Sequence, residues 1–263
     1  MSGFYIGVDG KARKVKGGYI GVDGKARKIK KGYIGDENGV ARLCWSASLD
    51  PVFANNTWED VIAACQNNTV PDTWTVGDQL TMTIDGTDYA VDIIGKNHDD
   101  YSDGSGKAPL TFQLHDCYKT GYALHNSATT SGSWSKCRMR TTHLPNILAQ
   151  MPIEVQNGIR EVKKITSDGY GYTTYTTTND KLFLVSEKEV RGTSIDAFAG
   201  EGTRYAYYKS KPLTKAMNGS NSNWWLRSPY KGDTDKYVYI NNTGANGLSS
   251  PTTSYGVSFA FCF

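Results

Sequence analysis

The 263-residue chain contains no apolar run near the length that a membrane-crossing helix needs, about 18 residues. Histidine is scarce. His98, His115, His125 and His143 are the only four, and their spacing matches no metal-ligand pattern, so each is expected to be an ordinary surface or core histidine. Five cysteines, Cys44, Cys65, Cys117, Cys137 and Cys262, stand far apart, odd in number and without a CxxC pair, which argues against a zinc or dithiol motif. They are expected to be small buried thiols. HExxH, GxSxG and the phosphate-binding glycine loop are all missing. Gly200-Glu201-Gly202-Thr203 is a lone Gly-x-Gly and reads as a turn. No catalytic residue, metal or cofactor is therefore expected. Met1-Ser2-Gly3-Phe4 lacks the charged lead and apolar stretch of a secretory signal, so synthesis in the cytoplasm is expected. Without such a signal the acceptor patterns Asn55-Asn56-Thr57 and Asn241-Asn242-Thr243 carry little weight.

The chain is rich in glycine, 28 residues, and in tyrosine, 17, a composition of many turns and strands. Its first 43 residues are a repeat of period 14, marked by Tyr5, Tyr19 and Tyr33. Each unit reads as strand, Asp-Gly or Asn-Gly turn, strand, because such dipeptides supply the positive φ angles of a tight hairpin. A unit of 14 residues cannot bury a core alone, so the hairpins must stack or dock. Ten Lys or Arg face four acids in this segment, a net charge of +6 in a chain whose total is +3. Lysines on a solvated ribbon edge that deter aggregation account for this charge better than nucleic-acid or lipid binding.

A helix signal follows at 57–65, with Thr57 as N-cap and Glu59 and Asp60 at the positive helix end. Leu80, Met82 and Ile84 alternate toward Asp85-Gly86, and Tyr89, Val91 and Ile93 alternate back, a second kind of hairpin. Thr111 to Leu114 reads as a strand, and Pro145 suits the first turn of a short helix to Met151. Ile159 to Ile165 fits helix and strand equally well. Leu182 to Val185 reads as a buried strand, and Ser186-Glu187-Lys188-Glu189 as a capping box opening a helix. In Asn97 to Gly106, Asp99, Asp103 and Gly104 sit at calcium-loop offsets, but Tyr101 and Leu110 replace ligands, so a solvated acidic turn is expected.

The last forty residues hold two apolar blocks, Trp224-Trp225-Leu226-Arg227-Ser228-Pro229 and Tyr255 to Phe263, around a polar insert. In the closing block Tyr255, Val257, Phe259, Phe261 and Phe263 share one parity, the period of a strand with one face in a core. These blocks, with Ser133 to Arg140 and Asp180 to Val190, resemble C-type-lectin-fold domains of gut bacterial and phage proteins. That group includes variable proteins diversified by retroelements and formylglycine-generating enzymes. The resemblance covers roughly 75–263, and Ser258-Phe259 stand where the family has Arg-Pro.

The resemblance implies an α+β, C-type lectin-like fold with a small antiparallel sheet, few short helices and long loops, preceded by the β-hairpin repeats. The boundaries expected are 1–44 for the repeats and 45–263 for the ligand-binding domain, with a variable region at 224–263. Trp224, Trp225 and Leu226 are assigned to the scaffold. Tyr230, Asp233, Asp235, Tyr237, Tyr239, Asn241, Asn242, Asn246, Ser249 and Tyr255 have the composition of a binding surface, and Tyr237 and Tyr239 share a parity. The function implied is that of a non-enzymatic receptor-binding or adhesin-like protein on a phage tail or cell surface. Its partner would be a protein or glycan on a bacterial surface, with the repeats docking other virion proteins. A formylglycine-generating-type enzyme and a purely structural virion protein are the alternatives. The glutamate-proline-asparagine sugar motif of animal lectins is absent, and so is a catalytic cysteine pair. Membrane insertion and nucleic-acid binding are not expected.

Overall fold

The computed structural model describes residues 49–263 throughout and, ahead of them, the backbone of six strands: β1 Tyr5–Val8, β2 Lys11–Lys14, β3 Gly18–Val22, β4 Lys25–Ile29, β5 Lys31–Gly35 and β6 Ala41–Ser46. They pair in sequence as three antiparallel hairpins, β1–β2, β3–β4 and β5–β6, as the 14-residue period implies. The turn dipeptides, the Cys44 side chain and the lysine side chains of this segment lie outside the described residues. Trp45 and Ser46 belong to β6, whose partners are Gly32 and Lys31, and the chain divides into compact units Met1–Asp50 and Pro51–Phe263.

The second unit opens with α1, Trp58–Gln66. The Thr57 hydroxyl accepts from the Asp60 N–H and the Asp60 carboxylate accepts from the Thr57 N–H, so a full capping box starts the helix. Trp58, Val61, Ile62 and Cys65 fall on its buried stripe. The hairpin β7, Gln79–Ile84, and β8, Thr87–Lys96, follows, with Ile84 opposite Thr87. Asp85 and Gly86 take φ of 47° and 70°, the left-handed pair this tight turn requires. Then come β9 Leu110–Leu114, α2 Ser133–Lys136, α3 Leu144–Leu148 with Pro145 in its first turn, and α4 Ile153–Gly158. The undecided stretch 159–165 is the exit from α4 and the start of β10, Val162–Ser167. β10 pairs with β11, Tyr175–Asp180. Next are β12 Leu182–Phe183 and α5 Glu187–Arg191, whose Ser186–Glu189 capping box is present and whose end is Gly192 at φ 79°. The chain closes with β13 Lys215–Met217, β14 Ser220–Ser222, β15 Trp224–Pro229, β16 Tyr237–Ile240, β17 Asn246–Ser249 and β18 Ala260–Cys262.

The largest sheet has the order β12-β18-β9-β8-β7, antiparallel throughout, and β15-β16-β17 form a second, three-stranded sheet. Small antiparallel sheets with short helices make the unit α+β. The closing block departs from the expected one-sided strand. Only Ala260–Cys262 is strand, and every residue from Gly256 to Phe263 is buried. The reason is its place in the sheet between β12 and β9, with cover on both sides. On one side Phe261 and Phe263 pack with Phe112 and Trp58, ring centroids 5.4–6.1 Å apart. On the other, Cys262 meets Asp99 and Thr111, 3.8 and 3.6 Å from its sulfur.

Candidate functional site

Beside the apolar core lies a buried polar one, and it begins with Arg227. The Trp-Trp-Leu-Arg-Ser-Pro block is wholly buried, as expected for its apolar residues, but Arg227 is buried with them. Its guanidinium makes a two-pronged pair with Glu189 at 2.5 and 2.9 Å and donates to Thr166 Oγ1 at 3.1 Å. Lys164 Nζ lies 2.7 Å from both Glu189 and Asp99, and the Tyr205 hydroxyl donates to Asp99 at 2.9 Å. Burial works against ionised Glu189, but Arg227 and Lys164 outweigh it and hold its pKa down to about 2. Glu201 is the opposite case. Burial prevails over Arg227 and over hydrogen bonds from Ser228 and the Ser167 N–H, and its pKa rises to about 7.

These carboxylates hold surface loops by their backbones. Glu187 accepts from the N–H groups of Ile195, Asp196 and Ala197 at 3.1, 3.1 and 2.6 Å. Glu201 accepts from Ser167 N–H at 3.0 Å, at the base of the turn joining β10 and β11. Three loops distant in sequence are thereby joined. The Lys231 N–H donates to Asp196 O, and the Gly200 N–H donates to the Tyr175 hydroxyl. Thr130 bonds Thr234 O through its N–H and hydroxyl and packs against Gly169. Large apolar side chains stand out of this assembly: Tyr172 is 57 % exposed, Tyr170 48 %, Tyr175 42 % and Ile195 57 %. Sequence reading missed them because Gly169–Thr177 has turn composition, and alternation within it does not tell which face is covered. The dense Gly-Tyr-Gly-Tyr run was the available signal.

The expected binding residues divide. Tyr230 is half-buried, with its ring against Gly232, and its N–H donates to Lys236 O, closing the loop of Asp233 and Asp235. Asp233 pairs with Lys236 at 3.1 Å, and Asp235 Oδ1 is a buried acceptor with no hydrogen-bond partner. Tyr239 and Tyr255 are half-buried, 4.6 Å apart, and both pack on Trp225. Asn242 is exposed. Three of them are engaged within the fold. Tyr237 is fully buried, with its hydroxyl 3.2 Å from His125 Nε2; the strand parity with Tyr239 holds, but the His125 segment covers it. Asn241 uses its side-chain oxygen on the Thr243 and Ala245 N–H groups, so it shapes a turn. Asn246 is spent on Glu187, Asp196 and Arg191. Ser249 is half-buried and donates to Thr253 Oγ1 at 3.0 Å.

The Asn97–Gly106 segment is the solvated turn expected over residues 103–106, but not at Asp99. Asp99 is buried in the Lys164 pair, while Asp103 is exposed and paired with Arg160 at 2.6 Å. Among the described residues no group of three or more His, Cys, Asp and Glu side chains could hold a metal ion. Cys65, Cys117, Cys137 and Cys262 are free and buried, as expected of small core thiols, and burial pushes the first three up to about 12. No helix among the described residues is long and apolar enough to cross a membrane.

The second unit is thus an α+β domain whose buried charges anchor a tyrosine-bearing set of loops. Over residues 111–263 the chain matches, and belongs to, the family described as a domain of unknown function, DUF6273. Comparison with curated proteins finds no match, and comparison with solved structures finds none.

Proposed function

We propose that the chain is a non-enzymatic ligand-binding protein of C-type lectin-like fold, a phage or prophage receptor-binding or adhesin-like protein that recognises a protein or glycan on a bacterial surface. The observation that carries this reading is the set of loops 168–175, 194–200 and 230–236, of which the last two are joined by the Lys231 N–H to Asp196 O hydrogen bond and the first two by the Gly200 N–H to the Tyr175 hydroxyl, with Tyr170, Tyr172, Tyr175 and Ile195 exposed on them. Tyrosine offers contact area at little rotamer cost, and loops already held by Glu187 and Glu201 lose little entropy on binding. Tyr230, Asp233, Asp235 and Asn242 extend this surface into the 224–263 segment, which the reading treats as diversified. The basic hairpins would dock the protein on other virion components. Among the described residues the oxidase alternative gains nothing from the cysteines, whose burial suppresses the thiolate that such chemistry uses.

The test is binding of the full chain to glycan and bacterial surface-protein arrays. Saturable binding is expected, and Tyr172→Ala and Tyr230→Ala should each weaken it by about 1–2 kcal/mol without lowering the melting temperature. Normal binding by both variants would sink the proposed face. A flanking reverse-transcriptase gene with an adenine-divergent copy of the last coding segment would test diversification separately.

A further inference from the structure

Away from the tyrosine face, a cavity of about 390 Å³ opens beside β8 and the β13–β14 hairpin, lined by Gln79, Asp92, His115, Tyr207, Lys211 and Lys215 among others. That volume is in the range of small-ligand sites. Its centre is a histidine–carboxylate pair. Asp92 is 1 % exposed, and its Oδ2 lies 2.8 Å from His115 Nδ1 while its Oδ1 accepts from Gln79 Nε2 at 2.7 Å. An ionised carboxylate only accepts, so Nδ1 carries the hydrogen toward Asp92, and Gln79 Nε2, 3.0 Å from the same Nδ1, has Asp92 as its acceptor. The ring is 45 % exposed, and among the described residues its Nε2 has no hydrogen-bond partner.

The cations around it are not neutralised by direct pairing. Lys215 is buried, and its Nζ donates to two carbonyls, Leu114 O at 2.8 Å and His115 O at 2.6 Å, which take its hydrogens but not its charge. Lys211 also lines the cavity and has no ion-pair partner among the described residues. The acids facing this group are Asp92, committed to His115 and Gln79, and Asp116, which accepts from the Ala216 N–H at 2.7 Å. A desolvated ammonium without a directly paired anion gains from an incoming negative group.

We propose that this cavity is a second binding site, which takes a small anionic group, a phosphate or a carboxylate, between the His115 imidazolium and the ammonium groups of Lys211 and Lys215. It does not rest on the tyrosine face and stands or falls separately. The Asp92 hydrogen bond raises the His115 pKa, against burial and Lys215. The ring therefore stays cationic to a higher pH than free histidine. Anion binding and ring protonation favour one another, so affinity should rise as pH falls through the His115 pKa and fade above it.

The experiment follows the histidine ring resonances of the full chain by NMR across the neutral range, with sulfate and with acetate as separate probes. Both stay ionised there, so only the protein titrates. The His115 pKa should climb in at least one of them. Affinity should fall about tenfold or more in His115→Gln and in Lys211→Met, the scale of one lost charge-assisted hydrogen bond. It should not change in Lys163→Met, which removes a charge from the exposed face of β10. A response to sulfate alone selects a phosphate-like ligand, and a response to acetate alone a carboxylate. A His115 pKa indifferent to both probes overturns the proposal, and so does wild-type affinity in either variant.

Discussion

Glu201 is a residue whose ionisation is tied to folding. It is fully buried, and its folded pKa of about 7 lies above the ordinary 4.5. The native state therefore holds its proton more tightly than the unfolded chain does. That contribution to stability is complete below the unfolded pKa and is lost as pH rises through about 7. Glu189 acts in the other direction, contributing above its ordinary 4.5 and losing that contribution as pH falls toward about 2. Glu201→Gln keeps the shape and removes the titration. Its unfolding free energy in urea should fall by about 1–3 kcal/mol less than that of the wild type as pH rises from weakly acidic to weakly basic. Parallel pH profiles for the two proteins would mean that Glu201 does not hold a proton in the fold. Tyr237 shows the same dependence on cover: a tyrosine in a polar segment, buried because the His125 segment lies over it.

At the scale of elements, the joins between segments carry as much as the strands. Gly256 is the clearest case. Its N–H donates to Asn223 O and its carbonyl accepts from the Trp225 N–H, so it stitches the closing block to the start of β15. A Cβ there would stand 2.5 Å from Cys117 Sγ and 3.0 Å from the backbone oxygen of Asn223. Gly256→Ala should destabilise the domain by about 1–3 kcal/mol, read as a lower melting temperature, because backbone and a buried sulfur must both shift. An unchanged melting temperature would show that this contact is slack. The capped helices behave differently. Thr57 with Asp60 and Ser186 with Glu189 make local boxes, legible without the fold because both partners lie three residues apart.

At the scale of the whole molecule, the chain is two units, and the second carries the two largest sheets and the whole of the DUF6273 match. A chain beginning at Pro51 should melt in one cooperative transition with a structured near-ultraviolet spectrum. A molten spectrum would show that Met1–Asp50 completes the core.

What the sequence determined by itself was local: the hairpin period of the first unit, the Asp85-Gly86 turn, both capping boxes and the apolar burial of Trp224, Trp225 and Leu226. Each depends on φ preferences, short-range hydrogen bonds or hydrophobicity, which neighbouring residues settle. The tertiary structure alone decided which polar residues are inside. Arg227 with Glu189, Lys164 with Asp99 and His115 with Asp92 are pairs between residues 23 or more positions apart. In each pair a charge is buried where its counter-charge arrives from elsewhere in the chain, and composition cannot place that meeting. The same holds for Tyr170, Tyr172 and Tyr175, whose exposure depends on the loops that close beneath them.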